Sequence, residues 1–276
     1  MITFPDFRVA IANTLAQMRT HSHRMKRDKW QGIDVSKKPD MVAYELLHYA
    51  FSVPVRTTAL DALRSEVEPN LPWADDHFDE RVGGHPLNPG IQWRNWPWGA
   101  NAGKFRIASA SLGDPTPDQI FDHTYAQRYF PKWAGKYPSG ILPAPAPTDK
   151  LHRGIYFLYG DLHDVVKELR EDPTTRQAIL PIFFPEDTGY RPHRRKPCSI
   201  SYHFMLTPTG LDIFYHLRSC DIIRHFRDDI YLTVRLLLWV LEQLRHQDKR
   251  WKSIVPGQFV CYIGNLHCFT NDKRLL

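Results

Sequence analysis

A cysteine that follows a basic segment is the clearest candidate for a catalytic residue in this chain. Cys198 comes directly after Pro197 and a run of cations that ends at Lys196. Nearby positive charge favours the thiolate, which is the nucleophilic form of the side chain. Further along, Arg218 and Ser219 supply a planar guanidinium and a hydroxyl, a pair that suits a phosphate group. These residue types therefore indicate covalent catalysis on a small phosphorylated substrate.

Four ordered motifs in the C-terminal half of the chain resemble those of the thymidylate synthase family. They are Pro197-Cys198, Arg218-Ser219-Cys220-Asp221, an arginine-bearing turn at 172–179 and the segment 264–269. A single cysteine is more often buried and inert, but the unbroken order of the motifs outweighs that interpretation. The resemblance implies one domain that spans residues 1–276, and a homodimer in which two sheets pack face to face.

The resemblance also implies one-carbon chemistry at C5 of a pyrimidine nucleotide. Cys198 would add to C6, which makes C5 a nucleophile toward the methylene group of 5,10-methylenetetrahydrofolate, the expected one-carbon donor. Loss of the folate leaves an exocyclic methylene on the base. A synthase reduces this group with a hydride from the folate, whereas a hydroxymethylase lets water add, and the sequence leaves both endings open.

The resemblance implies that Arg218, Ser219 and Arg176 bind the phosphate of the nucleotide. The Arg176 position reaches into the site of the partner subunit, so two active sites would be shared across the homodimer. The family usually has a second arginine beside it, where this chain has Gln177. Arg24 or Arg27 could complete the phosphate clamp from an N-terminal loop.

Asp229 stands where thymidylate synthases carry the asparagine that reads the edge of the pyrimidine. An amide both donates and accepts, which matches uracil, whereas an ionised carboxylate only accepts and repels uracil O4. Asp229 therefore selects cytosine, and phage deoxycytidylate hydroxymethylases resemble this chain at 226–229. The structural alternative is that Asp229 caps a helix.

These observations predict a deoxycytidylate 5-hydroxymethylase that uses dCMP. A CMP hydroxymethylase stays open, as do a dUMP-specific thymidylate synthase and a dUMP hydroxymethylase. The alternative from another class is an inactive relative that only binds nucleotides, and Cys198 argues against it.

Other site residues follow the family pattern less closely. His267 is expected to bind the sugar, although a single histidine is often structural and Phe269 replaces the usual tyrosine. Ser199 stands where synthases usually have histidine. Asp221, in the Arg218 motif, is a further expected site residue.

The acidic general catalyst is expected on a helix over 73–82 that ends at Gly83. The spacing favours Asp76, and Glu80 lies one turn away on the same face. A solvated acidic helix face is the alternative for both. Trp96, one of the tryptophans that follow, is also expected in the site.

The periodicity predicts an α+β domain in which a mixed sheet packs on helices. The predicted helices are 8–19, 59–67, 73–82, 161–170 and 230–245. The predicted strands are 41–55, 178–184, 199–206, 211–217 and 258–264. A long loop is predicted at 138–147.

Composition restricts the partners and the compartment. The net charge is +6, but no nucleic-acid motif accompanies it, so we expect no polynucleotide partner. The four cysteines have no metal-site spacing, so no metal is expected. No apolar run is long enough to cross a membrane, and no signal peptide is recognisable. We expect a cytoplasmic protein, in the host cytoplasm if a phage encodes it.

Overall fold

The computed structural model describes residues 1–30, 33–86, 88, 123–134, 154–189 and 195–276. The α-helices of these residues are α1 (Phe7–His21), α2 (Leu60–Val67), α3 (Trp73–Val82), α4 (Tyr125–Tyr129), α5 (Leu162–Glu171) and α6 (Phe226–Gln247). The strands are β1 (Ile2–Thr3), β2 (His23–Met25), β3 (Lys29–Trp30), β4 (Ile33–Asp34), β5 (Ala43–Pro54), β6 (Ile179–Pro181), β7 (Ser199–Thr207), β8 (Gly210–Leu217), β9 (Cys220–Asp221) and β10 (Pro256–Phe269).

One large sheet organises the described part of the chain. Its order is β1-β5-β10-β8-β7-β6, with β2 paired to β5 and β9 paired to β10. β10 runs antiparallel to β5 but parallel to β8 and β9, so the sheet is mixed, as predicted. Because parallel neighbours need a crossover, the chain leaves β9 through α6 before it enters β10.

Helix α6 is the central helix of the core. Its apolar middle, including Leu236, Leu237 and Val240, is buried, as predicted from its composition. The helix begins at Phe226, four residues before the predicted start. His225 occupies the N-cap position and makes no side-chain capping bond, so Asp229 lies inside the first turn. The interpretation of Asp229 as a helix cap is therefore wrong.

Helices α1 and α3 lie where the periodicity predicts them, whereas two strands differ in length. β6 covers only Ile179–Pro181, because the amides of Ile182 and Phe183 both donate to the Ile200 carbonyl and a 3₁₀ turn starts at Pro185. β10 extends well beyond 258–264, because it pairs with β5 from Gln258 to Phe269. The predicted loop at 138–147 lies outside the described residues.

Two irregularities shape the sheet at the start of β7. The register between β7 and β8 shifts between Ser199 and Ser201, immediately after Cys198. Such bulges re-aim side chains next to functional sites. Across the sheet, Gly264 lets β10 approach β8, because a Cβ at this position would lie 3.0 Å from the Arg218 carbonyl oxygen.

Candidate active site

Cys198 is half-buried at the entry to β7, where its carbonyl accepts from the Arg218 amide at 2.9 Å. The Arg218 guanidinium Nη2 lies 3.9 Å from Sγ. Burial raises the pKa of the thiol, Arg218 and Arg195 lower it, and the Asp229 carboxylate raises it. The cations therefore act in the predicted direction, and burial opposes them.

Arg218 also holds the loop that carries the cysteine. Its Nε donates to the Pro197 carbonyl at 2.8 Å, and its Nη2 donates to the Lys196 carbonyl at 2.9 Å. The side chain remains exposed, while Ser219 beside it is half-buried and hydrogen-bonds to the thiol. The predicted nucleophile and two predicted phosphate ligands are thus brought together.

Asp229 lies in the first turn of α6, where it faces the sheet. Its Oδ1 accepts from the Tyr215 hydroxyl at 3.4 Å, and its Oδ2 accepts from the Cys220 thiol at 3.5 Å. Burial raises the pKa of this carboxyl to about 7; Arg81 opposes the shift and Asp228 adds to it. Asp229 therefore exchanges between its two charge states near neutral pH.

A chain of three hydroxyls leads from Asp229 toward the cysteine. The Tyr215 hydroxyl is hydrogen-bonded to Ser199 Oγ at 2.6 Å, and Ser199 Oγ is hydrogen-bonded to the Tyr125 hydroxyl at 2.9 Å. Burial raises the pKa of both tyrosines, so both phenols are neutral. We call Tyr125, Ser199 and Tyr215 the hydroxyl chain.

A buried arginine lies against this chain. Arg81 of α3 is 3% exposed, and its guanidinium carbon lies 3.9 Å from the centre of the Tyr125 ring. Its Nε and Nη2 lie 3.0 and 2.7 Å from His77 Nε2, and its Nη1 donates to the Tyr202 hydroxyl at 3.3 Å. No carboxylate among the described residues forms an ion pair with Arg81. Burial lowers the pKa of His77, so the imidazole is a neutral acceptor.

His267 lies on β10 between two acidic residues. Its Cα is in register with Asp221 of β9 on one side and Glu45 of β5 on the other. Burial lowers its pKa, and its ring contacts Phe269 edge-on at 5.4 Å. Asp221 itself accepts from the Arg224 amide at 3.1 Å and from the Arg224 guanidinium at 2.6 Å, so it also fixes the turn before α6.

The family model of thymidylate synthase matches residues 73–275. The chain belongs to the thymidylate synthase family. No curated protein matches it. Membership of the thymidylate synthase family indicates a one-carbon transfer to a pyrimidine nucleotide with 5,10-methylenetetrahydrofolate as donor.

The predicted acidic catalysts of this thymidylate synthase relative do not lie on the innermost face of α3. Asp76 and Glu80 are half-buried, whereas His77 and Arg81, the next residue after each, are the buried ones. The assignment to Asp76 or Glu80 stays a prediction. Trp96 lies outside the described residues.

The arginines of this chain that are predicted to bind phosphate have different surroundings. Arg27 forms a bidentate pair with Glu45, at 3.0 and 2.5 Å, whereas Arg24 on β2 is exposed. This favours Arg24 over Arg27. Arg176 is exposed just before the edge strand β6, and its role stays a prediction.

Sequence reasoning missed Tyr125, Tyr215 and Arg81. The spacing of His77 and Arg81 on one helix face was a usable signal, as was the Thr124 capping box that starts α4. Within the described ranges, no cluster of acidic, histidine and cysteine side chains could hold a metal ion, and no helix is long and apolar enough to cross a membrane.

Proposed function

We propose that this chain transfers a one-carbon unit from 5,10-methylenetetrahydrofolate to C5 of dCMP, with water addition giving 5-hydroxymethyl-dCMP. The observation that carries the proposal is Asp229, a carboxylate in the first turn of α6 that accepts a hydrogen bond from Tyr215 and acts electrostatically on the Cys198 thiol. Cys198 is the proposed nucleophile, and Arg218 and Ser219 are the proposed phosphate ligands.

The chemistry of Asp229 supports cytosine as the base. Its ionised form accepts from the 4-amino group and repels the O4 atom of uracil. Its protonated form can donate to N3 of cytosine, which carries no hydrogen. Above the carboxyl pKa of about 7, the acceptor-only form predominates, and this form discriminates against uracil.

The same raised pKa supports a uracil nucleotide as a second candidate. A protonated carboxyl offers one donor and one acceptor, as an asparagine amide does, and could pair with O4 and N3–H of uracil. Below the carboxyl pKa, Asp229 therefore favours uracil, which is the base that a thymidylate synthase or a dUMP hydroxymethylase binds. Base preference should shift toward cytosine as the pH rises.

The sugar and the quaternary structure belong to the same proposal. Ser219 matches the deoxynucleotide enzymes, so dCMP is preferred over CMP. A homodimer with shared sites is supported by the outer face of the sheet, where Phe214 is 40% exposed and His216 packs on Tyr262 at 5.0 Å. Arg176, exposed at the β6 edge, is the proposed contribution of each subunit to the site of its partner.

Separate incubations with dCMP, CMP and dUMP, each with 5,10-methylenetetrahydrofolate, test this function by product mass. We expect dCMP to gain the elements CH₂O, which marks a hydroxymethyl group. A gain of CH₂ on dUMP would replace the proposal with a thymidylate synthase. No gain on any nucleotide would favour an inactive, nucleotide-binding relative.

A further inference from the structure

The two oxygens of the Asp229 carboxyl have donors of different strength. Oδ1 accepts from the Tyr215 hydroxyl at 3.4 Å, whereas Oδ2 accepts from the Cys220 thiol at 3.5 Å. A thiol is a weak donor, and this one also lies 3.6 Å from the Asp221 carbonyl oxygen, a second acceptor for its single proton. Tyr215 is therefore the stronger of the two donors that hold the carboxyl.

The Tyr215 hydroxyl is fixed from two directions. Its ring is 1% exposed and stacks on the Tyr202 ring, with the centroids 4.6 Å apart and the planes 5° from parallel. Its oxygen lies 2.6 Å from Ser199 Oγ, which lies 2.9 Å from the Tyr125 hydroxyl. Since each hydroxyl has one proton, donation from Tyr215 to Asp229 requires Ser199 to donate to Tyr215 and Tyr125 to donate to Ser199. All three donors then point toward Asp229.

A buried cation lies at the far end of the same network. The Arg81 guanidinium donates to the Tyr202 hydroxyl at 3.3 Å and lies 3.9 Å from the centre of the Tyr125 ring. Tyr202 stacks on Tyr215, and Tyr125 begins the hydroxyl chain, so both contacts of Arg81 lead to Tyr215. A cation over a phenol ring makes its O–H a stronger donor, and hydrogen bonds in a chain polarise one another. Arg81 therefore favours the donor direction that ends on Asp229.

We propose that Tyr215 is a specificity-determining positioning residue, whose hydroxyl holds Asp229 in the ionised form that selects cytosine. The inference rests on the proposed role of Asp229 in base choice and deepens it. A hydroxyl that donates to a carboxyl stabilises the charged form, and charge-assisted bonds are shorter than neutral ones. The 3.4 Å contact should therefore tighten as Asp229 ionises.

The groups around Asp229 make this donor decisive. Burial and the Asp228 charge raise the pKa of the carboxyl, while Arg81 and the hydrogen bonds from Cys220 and Tyr215 lower it. The titratable and charged groups that face it from the packed elements are Arg81 of α3, Tyr125 of α4, Tyr202 of β7, Tyr215 of β8, Cys220 of β9, Cys261 of β10, Asp228 of α6 and Cys198 before β7. Loss of the Tyr215 hydroxyl removes one donor and leaves these charges in place.

The consequence for the two bases follows from the charge of Asp229. Its ionised form accepts from the 4-amino group of cytosine and repels the O4 atom of uracil, whereas its protonated form can pair with uracil. Tyr215→Phe should leave more of the carboxyl protonated at a given pH. Base preference should then move toward uracil although Asp229 itself is unchanged.

The first test follows Asp229 in the free protein, so it does not depend on the substrate. With ¹³Cγ-labelled aspartate, the Asp229 resonance is assigned with Asp229→Asn and followed from pH 5 to 9. We expect a midpoint of about 7 in the wild type. Tyr215→Phe should raise the midpoint by about one unit, and Ser199→Ala, which keeps Tyr215 but removes the group that orders its hydroxyl, should raise it by less.

Tyr129→Phe is the matched control for the loss of a buried hydroxyl. Tyr129 is 1% exposed and packs edge-on against Tyr202 at 5.9 Å. Its variant should titrate Asp229 as the wild type does. An unchanged midpoint in Tyr215→Phe, or an equal rise in Tyr129→Phe, overturns the inference. If Tyr215→Phe does not fold, as judged by circular dichroism, Ser199→Ala decides on the same criterion.

The second test measures base choice in competitions between dCMP and dUMP from pH 6.5 to 9, with 5,10-methylenetetrahydrofolate present. In Tyr215→Phe the rise of the dCMP preference with pH should move upward by about one unit, so the preference at pH 7.5 should fall by up to about tenfold. A wild-type preference that rises with pH, together with an unchanged Tyr215→Phe profile, contradicts the role of Tyr215 and leaves the proposed function intact. A wild-type preference independent of pH, with the Asp229 midpoint still moved by Tyr215→Phe, shows instead that Asp229 does not choose the base.

Discussion

The two sides of the active site are held by different kinds of interaction. On the phosphate side, Arg218 is exposed and bonds to backbone carbonyls of the loop that carries Cys198. On the base side, Asp229 is held by side chains from other elements, including the Tyr215 hydroxyl. The phosphate side is therefore built from one stretch of adjacent strands, while the base side depends on packing. The phosphate side carries the residues that indicate the chemistry of the family, whereas the base side carries the residue that selects the base.

Removal of the nucleophile should have the largest effect. Cys198→Ser should abolish turnover because a serine hydroxyl is far less nucleophilic at neutral pH, while nucleotide binding persists through the intact phosphate side. Turnover and covalent trapping by a 5-fluoropyrimidine nucleotide with the folate, seen by intact-protein mass, provide the measurement. Cys261→Ala, which removes a buried thiol of β10, is the control and should remain active. Normal turnover by Cys198→Ser would show that Cys198 is not the nucleophile.

Arg218→Ala should weaken the phosphate side by a graded amount. A charge-assisted contact is worth roughly 1.5–3 kcal/mol, so KM for the nucleotide should rise about 10- to 150-fold. Because Arg218 also anchors the cysteine loop, kcat should fall as well. Steady-state kinetics of this variant, of Arg218→Lys and of the exposed control Arg19→Ala check the effect. An unchanged KM would exclude Arg218 as a phosphate ligand.

The shared site can be tested by mixing inactive subunits. If Arg176 serves the partner site, a heterodimer of Arg176→Ala and Cys198→Ser subunits contains one intact site. Random exchange should then restore about a quarter of wild-type activity, since half of the dimers are mixed. Activity is measured after subunit exchange is verified by native mass spectrometry. No recovery in verified heterodimers would show that each site uses its own Arg176.

On the base side, the raised pKa of Asp229 should make the stability of the protein depend on pH. The pKa of Asp229 in the folded protein, about 7, lies above its ordinary value of 3.8. The folded protein therefore holds a proton that the unfolded chain releases, and stability falls as the pH rises from about 4 to about 7. Urea unfolding should show a lower free energy of unfolding at pH 8 than at pH 5. This decrease should be smaller in Asp229→Asn than in the wild type by on the order of 2 kcal/mol. An equal decrease in the wild type and in Asp229→Asn would contradict a raised pKa of Asp229 in the folded protein.

The contrast between the two sides also explains what could be predicted from the sequence. Cys198, Arg218 and Ser219 lie in short ordered motifs, and strand pairing brings them together. Tyr125 and Ser199 lie far apart in the sequence and meet only through tertiary packing. The burial that opposes the cations around Cys198 could not be predicted for the same reason, because adjacent cations are visible in a sequence and burial is not.

The central claim is that Asp229 selects cytosine, and a direct competition tests it. Equimolar dCMP and dUMP are incubated at pH 8 with 5,10-methylenetetrahydrofolate and either wild-type protein or Asp229→Asn, and consumption of each is followed by mass. We predict that the wild type consumes dCMP faster by about tenfold or more, and that Asp229→Asn moves the ratio toward dUMP. Preference of the wild type for dUMP would contradict the account and leave Asp229 without a role in base selection.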